Sequence, residues 1–208
     1  MGLLDKLKKK DDVSNITNQN RKTRAFFEDL STKNNVVLLD SKDEIAREFS
    51  KIYNDFQDKF FFEQFISSGG IIIDNWIRLY GCGELNVVEK NKLYNCGYTM
   101  DILIAEDILG GLFGLKDDYI YYFAPDSNEW ECLEVYYTQF LNWLINNTDD
   151  VHKFYEYFRW NTWREDCAQL KLSDGYSFYP LLQVDSDINQ RSRKVISIDE
   201  LIRLNLGI

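Results

Sequence analysis

Histidine occurs once in this 208-residue chain and proline twice, and both scarcities exclude something. With His152 as the only histidine and no ligand pair at zinc-like spacing, no metal site is expected. Two prolines leave no long rigid linker. The four cysteines, Cys82, Cys96, Cys132 and Cys167, are widely spaced and form no C-x-x-C pair. No apolar run approaches the roughly 18 residues of a membrane span. The nucleophile elbow G-x-S-x-G, the phosphate-cradling P-loop, H-E-x-x-H and the dinucleotide fingerprint are all missing. The opening MGLLDKLKKKDD is too short in its apolar part for a signal-peptide core, and no small-residue cleavage site follows. Gly2 suggests myristoylation, but Lys6 stands where that motif takes Ser or Thr. Leu3, Leu4 and Leu7 could form one face of a short basic helix; a frayed, solvated end is the simpler expectation. A cytoplasmic protein with reduced thiols is therefore expected.

What is present is a core. Hydrophobic residues make up 45% of the chain and aromatics 15%, enough to bury a sizeable interior in one domain. The expected organisation is a basic, flexible segment over residues 1–24 and a single domain over 25–208. The net charge of −10 is unevenly spread. Residues 1–24 carry seven Lys or Arg against three acids, whereas residues 99–135 carry nine Asp or Glu against the single Lys116. Such a body disfavours nucleic acid, which needs clustered cations, and favours basic proteins. A merely solubilising acidic surface is the competing explanation.

Periodicity divides the chain into three. NRKTRAFFEDLSTKNN reads as a first helix and VVLL as a short strand. Ser41 and Glu44 fit a capping box ahead of an apolar stripe at Ile45, Phe49, Ile52 and Phe56. KFFFEQFI extends the helical region to the Ser67-Ser68-Gly69-Gly70 stop. The middle turns to strand material: IIID, WIRLY, MDILIAED, GLFGL, YIYYFAP and EWECLEV, interrupted by a helix around Val87, Val88 and Leu93. YTQFLNWLINN, DDVHKFYEYFRW and NTWREDCAQL return to helix. GYSFYPLLQV is a short extended piece, and SIDELIRLN a closing helix with a second box at Ser197 and Glu200. The spacing predicts an α+β fold: a mainly antiparallel sheet over residues 71–134, with helices from 43–66 and 137–169 packed on it.

The stretch GGIIIDNWIRLYGCG (residues 69–83) places Asp74 and Arg78 among apolar neighbours between two glycine pairs. A bent strand pair is expected, with Trp76 and Tyr80 in or beside the core, and with Asp74 and Arg78 in a structural salt bridge or bonded to a turn. His152 beside Lys153 reads as an ordinary surface histidine. Trp76, Trp130, Trp143, Trp160 and Trp163 fit core packing better than a pocket lining. Glycosidase-style carboxylates could be drawn from Glu106, Asp107, Asp126, Glu129 or Glu131, though a solvated acidic rim explains them equally well.

In order, GGIIIDNWIRLYGCG, ILIAEDILGGLFGL, YYFAPDSNEWECL, FLNWL, FYEYFRW and GYSFYPLL resemble an uncharacterised bacterial family, domain of unknown function 2625, from about residue 36 to the end. The Gly-Gly after a helix, the strand pair, AEDILGGLFGL, an aromatic strand and YTQFLNWL are also similar to the Smi1/Knr4-type (SUKH) superfamily. That similarity implies a mixed sheet flanked by helices and a role in immunity against secreted toxins, often nucleases; no catalytic residues belong to the pattern. The expected function is thus a non-enzymatic, immunity-type inhibitor that occludes a basic toxin with an acidic surface. Asp117, Asp118, Asp126, Glu129 and Glu131 are the expected contacts, since they fall in strand connections. The alternatives are a hydrolase using clustered carboxylates, or an intracellular scaffold holding a small molecule or peptide in an aromatic groove. No cofactor is expected.

Overall fold

The computed structural model describes residues 36–56, 60–95 and 99–208, with the single helical positions Ala25 and Glu28. The basic segment 1–24, the rest of the expected first helix and Cys96 lie outside the described residues. Seven strands rich in β-branched and aromatic residues follow one another into a single sheet: β1 (Val36–Leu39), β2 (Gly70–Ile73), β3 (Ile77–Leu79), β4 (Ile102–Asp107), β5 (Leu112–Lys116), β6 (Tyr119–Ala124) and β7 (Glu129–Tyr136). Their spatial order is their chain order, and every neighbouring pair is antiparallel. The α+β expectation holds, and the meander extends beyond the expected range to include β1.

Turn chemistry explains the order. Lys116 pairs with Tyr119, so the loop between them is only Asp117 and Asp118, with φ of 51° and 68°. A two-residue hairpin of type I′ needs both residues left-handed, which short polar side chains tolerate best after glycine. Asp74 and Asn75 take the same conformation between β2 and β3, as does Asn128 between β6 and β7. The expected bent strand pair is therefore present, with its turn at Asp74 and Asn75. The flanking glycines serve close approach: a Cβ on Gly69 would lie 2.0 Å from the Asp40 carbonyl oxygen, and one on Gly83 would lie 2.3 Å from the Gly69 Cα. The stretch is scaffold.

Helices cover both faces. They are α1 (Asp43–Ile52), α2 (Phe60–Ser67), α3 (Val87–Tyr94), α4 (Tyr137–Asn146), α5 (Thr148–Phe154), α6 (Trp163–Cys167) and α7 (Ile198–Leu206). Phe113 of β5 packs on Phe140 of α4 at 5.0 Å between ring centroids, and Tyr122 of β6 on Phe154 of α5 at 5.2 Å. On the opposite face Lys90 of α3 joins Glu106 of β4 to Asp199 of α7. All six residues of β4 are buried, as a strand covered on both sides requires. Trp76, Tyr80, Trp160 and Tyr155 are all almost wholly enclosed.

Three local expectations change. Lys42, not Ser41, caps α1, and its N–H donates to the Cys82 carbonyl, so no Ser41–Glu44 box forms. Ser197 does occupy the N-cap of α7, but its side chain caps nothing; the Ile198 N–H donates to the Ser173 carbonyl instead. A second sheet of β8 (Asp174–Tyr179) and β9 (Ser192–Ser197) is added, and β9, SRKVIS, is mostly exposed and carries no apolar alternation to announce it.

Cys82 and Cys167 are buried, and burial pushes both thiols up to about 12, whereas Cys132 is exposed on β7. In the folded protein a thiol reagent should label Cys132 rapidly while Cys82 and Cys167 react only on unfolding, with four thiols counted after denaturation without reductant. Rapid labelling of Cys82 or Cys167, or fewer than four thiols, would contradict this arrangement.

Candidate binding cleft

Two carboxylates end β4, and neighbours in a strand point to opposite faces. Glu106, fully buried, accepts from the Tyr80 hydroxyl at 2.9 Å and lies 3.0 Å from Lys90 Nζ and 3.8 Å from Arg78 Nη1. Lys90 also reaches Asp199 at 3.1 Å, and Asp199 accepts from the Tyr94 hydroxyl. Arg78 donates to the carbonyls of Leu172 and Lys171 at 2.9 and 3.1 Å. Its partner is thus Glu106 and a distant loop rather than Asp74. On the other face Asp107 accepts from the Leu109 and Gly111 amides, both at 2.9 Å, and from the Tyr122 and Tyr155 hydroxyls at 2.7 and 3.0 Å. Burial pushes the Asp107 carboxyl up and these four bonds pull it back. Carboxylates on opposite faces cannot flank one glycosidic bond, so Glu106 and Asp107 do not form a hydrolase pair.

The exposed acids fall into two groups. Asp117, Asp118, Asp126, Glu129 and Glu131 all face solvent. The Asp117–Asp118 turn lies at one end of β6 and the Asp126 turn at the other, which a rise of about 3.3 Å per residue sets roughly 20 Å apart. Near the first lies a shallow groove of about 280 Å³ lined by Phe60, Leu115, Asp118 and Tyr136. Glu129 and Glu131 belong with Asp126, paired with Ala124 and Tyr122 across the hairpin.

The Asp126 end opens into a cleft of about 650 Å³. Its walls are the β6–β7 turn, the segment around residues 156–159 and the loop 182–191, so Asp126 meets Glu156, Asp185 and Asp187 there. The loop is fixed from below. Buried Arg191 donates to the carbonyls of Pro180, Leu181, Val184 and Ser186, and Gln183 donates to the Pro125 carbonyl at 2.6 Å. Tyr157, 79% exposed, and half-exposed Val184 stand on its walls. Glu156, Asp185 and Asp187 were not among the expected contacts, because two segments remote from the β6–β7 turn deliver them and no local pattern joins them to Asp126.

Arg159 shares this cleft and reaches into an aromatic cluster. Its guanidinium carbon lies 4.1 Å from the Trp163 ring centroid, 5.0 Å from that of Trp76 and 5.6 Å from that of Tyr155. His152, expected as a surface residue, is half-buried between two arginines: Nδ1 meets Arg159 Nη1, and Nε2 lies 3.0 Å from Arg164 Nη2. A neutral imidazole has one acceptor nitrogen, so its tautomer decides which arginine is bonded. Of the tryptophans, Trp160 has its indole N–H satisfied by Asp166 at 2.5 Å, whereas that of buried Trp76 has no partner. Beside β7, Leu133, Val135, Trp143 and Phe154 line an apolar groove of about 450 Å³. Among the described residues no group of three or more His, Cys, Asp or Glu could hold a metal ion, and no helix is long and apolar enough to cross a membrane.

The family described as protein of unknown function DUF2625 matches residues 26–201. The chain is 38% identical over 146 residues to the uncharacterised protein YbfG of Escherichia coli strain K12, an alignment covering 64% of this chain and 66% of that protein. It is 28% identical over 158 residues to an uncharacterised protein of Haemophilus influenzae strain Rd, covering 67% and 68% of the two. The chain thus spans about two thirds of the length of the curated relatives it matches.

Two measurements check this electrostatic picture. Glu106→Gln leaves buried Arg78 without its counter-ion and Lys90 with Asp199 alone, so chemical denaturation should show a loss of about 3 kcal/mol; a change below about 0.5 kcal/mol would refute the role given to Glu106. Burial, then the charges of Arg159 and Arg164, hold the His152 imidazole below its usual value, against the pull of Asp74 and Asp149. The unfolded chain therefore binds the proton more tightly, so the stabilising contribution is complete above about pH 6.5 and is lost as pH falls through the folded value. NMR titration of the sole histidine should give a midpoint below about 6.5; a higher midpoint would contradict the two-arginine environment.

Proposed function

This chain belongs to the DUF2625 family, and we propose that it is a non-enzymatic binding protein that seats a basic protein partner in the acidic cleft. The observation that supports this is the convergence of Asp126, Glu156, Asp185 and Asp187 from three chain segments on one concavity of about 650 Å³. Of the two arginines in its wall, Arg191 donates to four carbonyl oxygens, and the Arg159 guanidinium lies against aromatic rings. Tyr157 and Val184 offer contact area beside the acids, the mixture of aromatic anchor and charged rim that protein interfaces use. Acids on a rim raise the encounter rate with a basic partner and reject acidic ones.

In its finer form the proposal is an immunity-type inhibitor on a SUKH-like scaffold: the partner is a basic toxin, and the rigid cleft blocks it by occlusion. Glu129 and Glu131 extend the acidic rim along β7, while Asp117 and Asp118 contribute where the partner spans the whole hairpin. A second reading, a scaffold for an apolar peptide, is favoured by the groove at Trp143 and Phe154. A hydrolase using surface carboxylates draws on the same acids and is favoured by no further observation.

Octalysine is a defined probe of the cleft. The combined substitutions Asp126→Lys, Glu156→Lys and Asp185→Lys should weaken its binding at low salt by about tenfold or more, and Asp117→Lys with Asp118→Lys by less than about threefold. Asp187 is left intact because its side chain accepts from the Asn189 amide and caps a short helical turn. In cells expressing a toxin-like product of a neighbouring reading frame, the cleft variant should lose protection. Equal loss from both sets of substitutions, or undiminished binding and protection in the cleft variant, would overturn the proposal.

A further inference from the structure

Arg159 leaves half of its fork unused. Nη1 meets His152, but Nε and Nη2 are buried and have no hydrogen-bond partner. The rings of Trp163, Trp76 and Tyr155 attract the cation through their faces yet offer these N–H groups no in-plane acceptor. The indole N–H of Trp76, whose ring centroid is 5.0 Å from the guanidinium, is also buried and unpartnered. Burial pushes the Arg159 guanidinium down to about 10, so it stays charged at neutral pH, and the charge of Asp74 opposes that shift. Buried donors without partners are rare and costly, and those of a charged group most of all. The Nε–Nη2 edge is also the one whose parallel N–H bonds match the two oxygens of a carboxylate or phosphate.

We propose that this edge is the receptor for a carboxylate, carried by a ligand that lies in the cleft and is otherwise cationic. Arg159 forms part of the cleft wall, and the same wall carries Asp126, Glu156, Asp185 and Asp187. These acids repel a phosphate dianion more strongly than a carboxylate and attract any positive charge beside it. A basic amino acid satisfies both demands, as does the C-terminal residue of a basic chain. Because the two nitrogens are covered, the carboxylate enters by displacing a ring edge of the aromatic cluster, and Trp76 and Trp163 report its arrival. The inference goes beyond protein docking, since a small ligand alone fulfils it.

The test is an NMR titration of the full chain with L-lysine, with cadaverine, which lacks the carboxylate, and with inorganic phosphate. L-Lysine should shift the Trp76 indole and Arg159 Nε–H resonances saturably and bind about tenfold or more tightly than cadaverine. Arg159→Lys, which keeps the charge and loses the fork, should abolish that difference. The lysine–cadaverine comparison on the unaltered protein stands even where the variant fails to fold. Tighter binding of Gly-Gly-Lys than of L-lysine assigns the carboxylate to a chain end, and the reverse order to a free amino acid; either outcome supports the receptor. Equal binding of L-lysine and cadaverine, tighter binding of phosphate, absence of any shift at tens of millimolar, or a folded Arg159→Lys protein that still discriminates would overturn it. Octalysine binding that fails while L-lysine binds would sink the protein-docking proposal and leave this one intact.

Discussion

The carboxylate of Asp107 is the point on which the rest of the structure converges. It gathers two amides of the β4–β5 turn, the hydroxyl of Tyr122 on β6 and the hydroxyl of Tyr155 beyond α5. One side chain thereby sets the turn, the register of the central strands and the seat of the helical layer. Its neighbour Glu106 does the corresponding work on the other face, where Tyr80, Lys90 and Arg78 meet it and Lys90 passes the tie on to Asp199 of α7. Two buried acids in succession are costly to desolvate, and only this density of donors makes them tolerable.

The division of labour among the acids follows from that cost. Carboxylates inside the fold are consumed by fixed donors, which favours a structural role. At the surface, Asp117 and Asp118 hold left-handed backbone, so their presence is explained by the hairpin before any partner is invoked. Asp126, Glu156 and Asp185 carry no comparable backbone signature. Their shared cleft is what gives the proposed docking surface its location.

Much of the sheet was legible because strand and turn chemistry agree. Asp74-Asn75 separates the runs of β2 and β3, Gly110-Gly111 those of β4 and β5, and Asp117-Asp118 those of β5 and β6, each a turn with a physical reason. What stayed hidden depends on distance along the chain. Ser41 and Glu44 have the spacing of a capping box, but Lys42 takes the cap position by bonding Cys82, forty residues away. SRKVIS pairs with β8 at an exposed hairpin and shows no amphipathic alternation. The cleft acids and the cluster of Arg159, His152, Trp76 and Trp163 are assembled from remote segments, and composition gave only the sign of the charge.

The central claim is that a basic partner engages the fold at the 126–129 and 182–191 end. Hydrogen–deuterium exchange of the full chain with and without octalysine tests it most directly. The account predicts slowed exchange at residues 125–128 and 182–191 and unchanged exchange at the Asp117–Asp118 turn. Slowing confined to that turn or to the groove at Trp143, or no slowing at either end of the hairpin, would contradict it.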